Sequence, residues 1–251
     1  MPVEPIKPRR LYQEVADQLT RLIAKGEYKP GGRLPAEREL AASLQVSRPT
    51  IREAMIALEL AGVIEIRTGS GIFVRGDAAP SARKDTGPGP FELMEARLHI
   101  EGEAAAIAAR NISDLELEEL TQANRRMERL AAGHRPAETT DRQFHRIIAR
   151  ATRNSAMAAA VEQLWEFRAR MPMWRKLHEV IREIEKRRDW SDDSLAVMDH
   201  RDIIAALAAR DPDGARRAMQ AHLKRVTGVL MAASELDLIN IKSDQDRSAG
   251  E

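Results

Sequence analysis

From residue 11 the apolar positions Leu11, Val15, Leu19, Leu22 and Ile23 recur at steps of three and four. That spacing puts them on one face of a helix, and Gly26 supplies a stop. "YKPGGRLP" reads as a turn, after which Pro35 fits the first turn of a second helix running through "AERELAASL" to Leu44. Ser47 is placed to cap a third helix over residues 48–61, with Ile51, Ala54, Met55 and Leu58 as its buried stripe. After Gly62 the period changes to two. "VIEIR" and "GIFVR" are rich in β-branched residues, and "TGSG" between them reads as a hairpin tip.

From residue 90 the helical period returns and holds. "PFELMEARLHIEGEAAAIAARN", "SDLELEELTQANRRMERLAAG", "TTDRQFHRIIARAT", "NSAMAAAVEQLWEFRARM", residues 174–186, "SDDSLAVMDHRDIIAALAAR" and "DPDGARRAMQAHLKRVTGVLMAAS" predict six or seven helices. Ser113 and Ser191 are their candidate caps, and Pro212 suits an amino-terminal turn. "RGDAAPSARKDTGPGPF" can sustain neither helix nor ladder and reads as a linker. The predicted fold is mainly α. A winged helix-turn-helix occupies residues 9–76, a linker 77–90, an antiparallel all-helical bundle 91–235, and a disordered tail 236–251.

The chain carries a net charge of +1 and 43% hydrophobic residues, which excludes a uniformly basic nucleic-acid coat. The charge is unevenly placed, however: residues 1–76 hold 12 Lys+Arg against 9 Asp+Glu, and the remainder 28 against 30. Nucleic-acid affinity is therefore expected in the amino-terminal part. The lack of cysteine excludes thiolate catalysis, disulfides and cysteine-held zinc. No apolar run approaches a membrane span, and "MPVEPIKPRR" lacks a signal peptide's apolar region, so a cytoplasmic protein with no membrane partner is expected.

Two short helices, an arginine-headed third and a hairpin form a mechanical unit for DNA. The third helix fits the major groove and its amino-terminal residues reach base edges. Ser47, Arg48, Thr50 and Arg52 occupy that end, with Arg48 and Arg52 four apart on one expected face. The glycines of the tip allow a close backbone approach. "KPGGRLPAERELAASLQVSRPTIREAMIALELAGVIEIRTGSGIFV" resembles the DNA-binding domain of GntR-family bacterial regulators. The resemblance implies DNA contacts at Arg38, Ser47, Arg48, Thr50, Arg52 and Gly69, with Arg67 a further candidate beside the tip. Pro49 stands where relatives often carry a hydroxyl, which removes one donor.

In the helical part Asp141 and His145 are one turn apart, and His200 and His222 sit among apolar residues of two further helices. One carboxylate and three imidazoles in a bundle interior suit a divalent ion such as zinc, nickel or manganese; each histidine alone also suits a hydrogen-bonded core position. "FELMEARLHIEGEAAAIAA", "DRQFH", "DHRDIIAALAARD" and "MQAHL" resemble the FCD ligand-sensing domain of the FadR branch of GntR regulators. That resemblance implies a metal on Asp141, His145, His200 and His222, zinc foremost, and makes Arg97 the clamp for an effector carboxylate; an ion pair of Arg97 with Glu101 is its alternative. His99, His134 and His178 match no metal position.

A metal-dependent enzyme is the reading from another class, but no carboxylate pair or HExxH motif provides its acid–base partner. "PRRLYQEVADQL", "GPFELMEAR", "ATRNSAMAAAVEQLW" and "PMWRKLHEVI" resemble the hexuronate-responsive regulators of this branch. They imply a repressor of glucuronate and galacturonate catabolism, released by a hexuronate or fructuronate, with another small hydroxy acid as the alternative. Trp165 and Trp174 are candidates to cover a sugar ring. A homodimer on a palindromic operator completes the expectation.

Overall fold

The computed structural model describes residues 10–67, 70–76, 87–133, 135, 137–188 and 192–237. The amino-terminal part comprises α1 (Leu11–Ala24), α2 (Glu37–Leu44), α3 (Arg48–Leu60), β1 (Ile64–Arg67) and β2 (Gly71–Val74). Ser47 caps α3 as expected: its hydroxyl accepts from the Thr50 amide at 3.2 Å. α2 starts later than Pro35, because Ala36 is its cap residue and the Glu39 carboxylate takes the Ala36 amide at 3.3 Å. The strands pair antiparallel with Ile64 opposite Val74 and Arg67 opposite Gly71. The Leu34 amide adds a bond to the Ile72 carbonyl, which ties the turn before α2 to the hairpin. Tyr12, Val15 and Leu19 of α1 bury against Ile51, Ala54, Met55 and Leu58 of α3, with Ile64, Ile72 and Val74 closing the core.

Seven helices follow: α4 (Pro90–Asn111), α5 (Asp114–Ala132), α6 (Glu138–Ala151), α7 (Ser155–Arg170), α8 (Pro172–Arg188), α9 (Asp192–Ala208) and α10 (Pro212–Asp237). α4 spans the residues expected of it, and α10 runs three residues past the expected end at Ser234. Ser113 caps α5, whereas the expected cap at Ser191 lies outside the described residues. α4 is the central helix, packed on α6, α7, α9 and α10. Its buried Ala104, Ala105, Ala108 and Ala109 permit that crowding, since small side chains let helix axes approach. Among the described residues no strand follows β2, and no helix is long and apolar enough to cross a membrane.

The two parts meet along α3. The Glu53 carboxylate on α3 accepts from the amides of Phe91 at 2.8 Å and Glu92 at 3.3 Å, closing the first turn of α4. Gly89 is needed there, because a Cβ would overlap the Glu53 carboxyl group. Lys176 on α8 pairs with Glu59 of α3. Arg52 of α3 reaches Ser234 of α10 at 3.2 Å.

Candidate functional site

At the head, Ser47 and Arg48 are exposed at the start of α3 and Thr50 is half-buried. The Ser47 hydroxyl lies 2.8 Å from that of Thr50, so capping already uses part of its capacity. Arg38 is exposed on α2. Arg67 is exposed but laid over the Phe73 ring at 4.6 Å and paired with Glu65 at 3.0 Å. Gly69 lies outside the described residues.

Arg52 corrects the expected common face with Arg48. It is 3% exposed. Its guanidinium is held by both oxygens of Glu37 on α2 and by Ser234 on α10. Four residues on a helix are somewhat more than one turn, and this turn carries position 52 away from solvent and under the helical part. In this arrangement Arg48 faces solvent and Arg52 does not.

The structure brings Asp141 and His145 of α6, His200 of α9 and His222 of α10 together, each with a ligand atom within 4.8 Å of the others. The imidazoles are buried. Asp141 Oδ1 stands 3.5 Å from His145 Nε2 and 3.6 Å from His200 Nε2. Outer partners orient three of the four groups. Glu101 on α4 takes the Nδ1 side of His145, Asp199 Oδ2 takes His222 Nδ1 at 3.2 Å, and Arg168 Nη1 on α7 donates to Asp141 Oδ2 at 3.2 Å. The Nε2 edges of His145 and His222 are thereby left for a metal, as in carboxylate–histidine–metal sites. Phe144 stacks on His200 at 4.1 Å and fixes its ring plane.

The donor set fits a divalent ion. Asp141 Oδ1, His145 Nε2 and both nitrogens of His200 are buried without a hydrogen-bond partner, a cost that coordination removes. Burial penalises the Asp141 charge, but His145 and Arg168 outweigh it and hold its pKa well below the carboxylate range. Burial likewise opposes Glu101, yet Arg97 and His145 bring it down to about 2. His145, between two carboxylates, is raised despite its burial, whereas burial depresses His200 and His222. A bound metal competes with the proton on His145.

Arg97 is buried above this cluster. Its Nε donates to Glu101 Oε1 at 2.5 Å, its Cζ lies 4.3 Å from the Trp165 ring centre, and its Nη2 has no partner. The ion pair weighed as an alternative therefore exists, but as a buried anchor rather than a surface contact. His99 is exposed, His178 is half-buried against Trp174, and His134 lies outside the described residues. Arg168 and Asp199 escaped the sequence reading, and Glu101 entered it only as a partner of Arg97, not of His145. For Arg168 a signal was present: Val161, Leu164, Trp165 and Arg168 share the buried stripe of α7, an unusual place for an arginine.

Comparison with known proteins supplies a wider frame. The model of the family described as "Bacterial regulatory proteins, gntR family" matches residues 11–74, and the FCD domain model matches residues 92–225. The Uxu operon transcriptional regulator of Escherichia coli strain K12 is 38% identical over 91% of this chain and 90% of its own length. The Exu regulon transcriptional regulator of the same strain is also 38% identical, over 97% and 93%. Among solved structures, Streptococcus agalactiae GntR has 29% identity, a TM-score of 0.43, and coverage of 86% of this chain and 98% of that one.

Proposed function

The chain belongs to the gntR family of bacterial regulatory proteins and carries an FCD domain, so it is a DNA-binding transcriptional regulator rather than an enzyme, and we propose that it is a repressor released by a hexuronate. The observation that carries the effector reading is the group of buried N–H donors beside the histidine cluster: Arg97 Nη2, Trp165 Nε1 and Trp174 Nε1 have no acceptor. Buried donors left unpaired are costly, and an oxygen-rich acid satisfies them. A divalent ion on Asp141, His145, His200 and His222, zinc before nickel or manganese, supplies a positive seat for the acid's carboxylate. Arg97 grips that carboxylate while the indole N–H groups of Trp165 and Trp174, whose faces Arg97 and Arg168 already cover, donate to its hydroxyls.

Three elements lead from the histidine cluster and its neighbours to the recognition helix. α4 carries Arg97 and starts on Glu53, α8 carries Trp174 and pairs with Glu59 through Lys176, and α10 carries His222 and holds Arg52 through Ser234. An effector that binds two arrangements of these helices unequally shifts the head between them. On the operator, Arg38, Ser47, Arg48, Thr50, Gly69 and Arg67 face DNA, and Arg52 joins them once Glu37 and Ser234 release it. Two such chains, as a homodimer, read a palindrome.

The test is fluorescence anisotropy on a labelled palindromic operator titrated with D-glucuronate, D-galacturonate and D-fructuronate. Release by at least one uronate is expected. Retention with all three overturns the effector assignment.

A further inference from the structure

Arg168 is a buried charged group beside the histidine cluster whose bond to Asp141 uses only part of its donor capacity. It is 6% exposed. Its Cζ lies 4.4 Å from the Trp165 ring centre and 4.8 Å from that of Trp174. Arg97 occupies the same Trp165 ring from another helix, so two buried guanidinium groups crowd one indole. Arg97 is joined to the buried Glu101, and Arg168 to the half-buried Asp141 and, more loosely, to the exposed Glu138. Asp141 is also a metal ligand and shares its charge. The Arg168 Nε carries no hydrogen bond, since Glu138, an exposed carboxylate 3.5 Å away, is too distant.

A single carboxylate is satisfied by one bidentate guanidinium. Two guanidinium groups and two indole N–H groups, all with buried unpartnered atoms, ask for acceptors spread along a ligand. We propose that Arg168 is a second anchor of the effector and the specificity-determining residue that selects a long polyhydroxy acid over a short hydroxy acid. This rests on the effector reading above and states which end of the ligand it lacked. Arg97 takes the carboxylate, and Arg168, fixed in place by the two indoles and Asp141, donates to an oxygen further along the chain. Glycolate, two carbons long with its hydroxyl next to the carboxylate, engages only Arg97.

Isothermal titration of the full-length, zinc-saturated protein with D-glucuronate, D-galacturonate and glycolate tests this. Arg168→Met is expected to weaken both uronates by about tenfold or more, the range of a hydrogen bond from a charged donor, and glycolate by less than about threefold. Arg168→Lys, which keeps a charge beside Asp141, provides the second variant, with elemental analysis and circular dichroism verifying zinc and fold in each. Uronate affinity within about threefold of wild type in the lysine variant overturns the proposal, as does equal weakening of glycolate in either variant. The two readings fail differently. If wild type binds no uronate, the effector assignment itself falls; if wild type binds uronates and the variants bind them equally well, only the Arg168 anchor falls.

Discussion

Glu53→Gln isolates the joint between recognition helix and sensor. The Glu53 carboxylate is buried, and desolvation outweighs the two amides it accepts from, so its pKa is raised from 4.5 to about 7. A carboxyl group raised in the folded state binds more protons there than in the unfolded chain, so its contribution to stability falls as pH climbs through that window. At about 1.4 kcal/mol per pH unit the gap from 4.5 to about 7 comes to roughly 3 kcal/mol when fully expressed. Most of that, about 2–3 kcal/mol, is lost between pH 5 and 8. Glutamine keeps the acceptor oxygen for Phe91 and Glu92 and removes the charge. The variant is therefore expected to match wild type within about 1 kcal/mol at pH 5 and to exceed it by about 3 kcal/mol at pH 8. Urea unfolding of both proteins at the two pH values, followed by circular dichroism, measures the difference with other titrations cancelled. A difference that stays constant with pH, or that favours wild type at pH 8, refutes the reasoning.

Three further outcomes are expected. His145→Ala combined with His200→Ala should abolish bound metal, and elemental analysis showing unchanged content removes the ligand assignment. Arg48→Ala should weaken operator binding by about 1–3 kcal/mol with the urea midpoint unmoved, whereas Arg52→Ala should also cost about 3 kcal/mol of stability by stranding Glu37; equal midpoints for the two variants argue against the buried Arg52 pair. Gly89→Ala forces a methyl group onto the Glu53 carboxyl and should destabilise by about 1–3 kcal/mol, against a gain of about 0.5–1 kcal/mol for alanine at Gly228, a position inside α10 where a Cβ meets nothing.

Helix spacing was legible because each helix buries one stripe, and periodicity reports which residues share it. Ser47 and Ser113 were legible as caps because capping is local. The start of α2 was not, since Glu39 reaching back to the Ala36 amide competes with the proline rule. The metal set came as an implication of family resemblance rather than from spacing, because its four members lie on three helices up to 81 positions apart in sequence, from Asp141 to His222. The pairing of Glu101 with His145, Asp199 with His222 and Arg168 with Asp141 was not legible for the same reason: a charged residue on an apolar stripe announces burial but not its counterion.

The sequence by itself determined the elements, the split between a β-winged head and a helical sensor, and the residue types available for DNA, metal and acid. Local periodicity, capping and turn chemistry suffice for that, because each depends on neighbours within a few positions. Only the tertiary structure decided that Arg52 lies under α10 while Arg48 faces solvent, that Arg97 and Arg168 share one indole, and that three sensor helices grip α3. Those outcomes depend on which helices pack side by side, and burial then sets the charge, partner and freedom of each group.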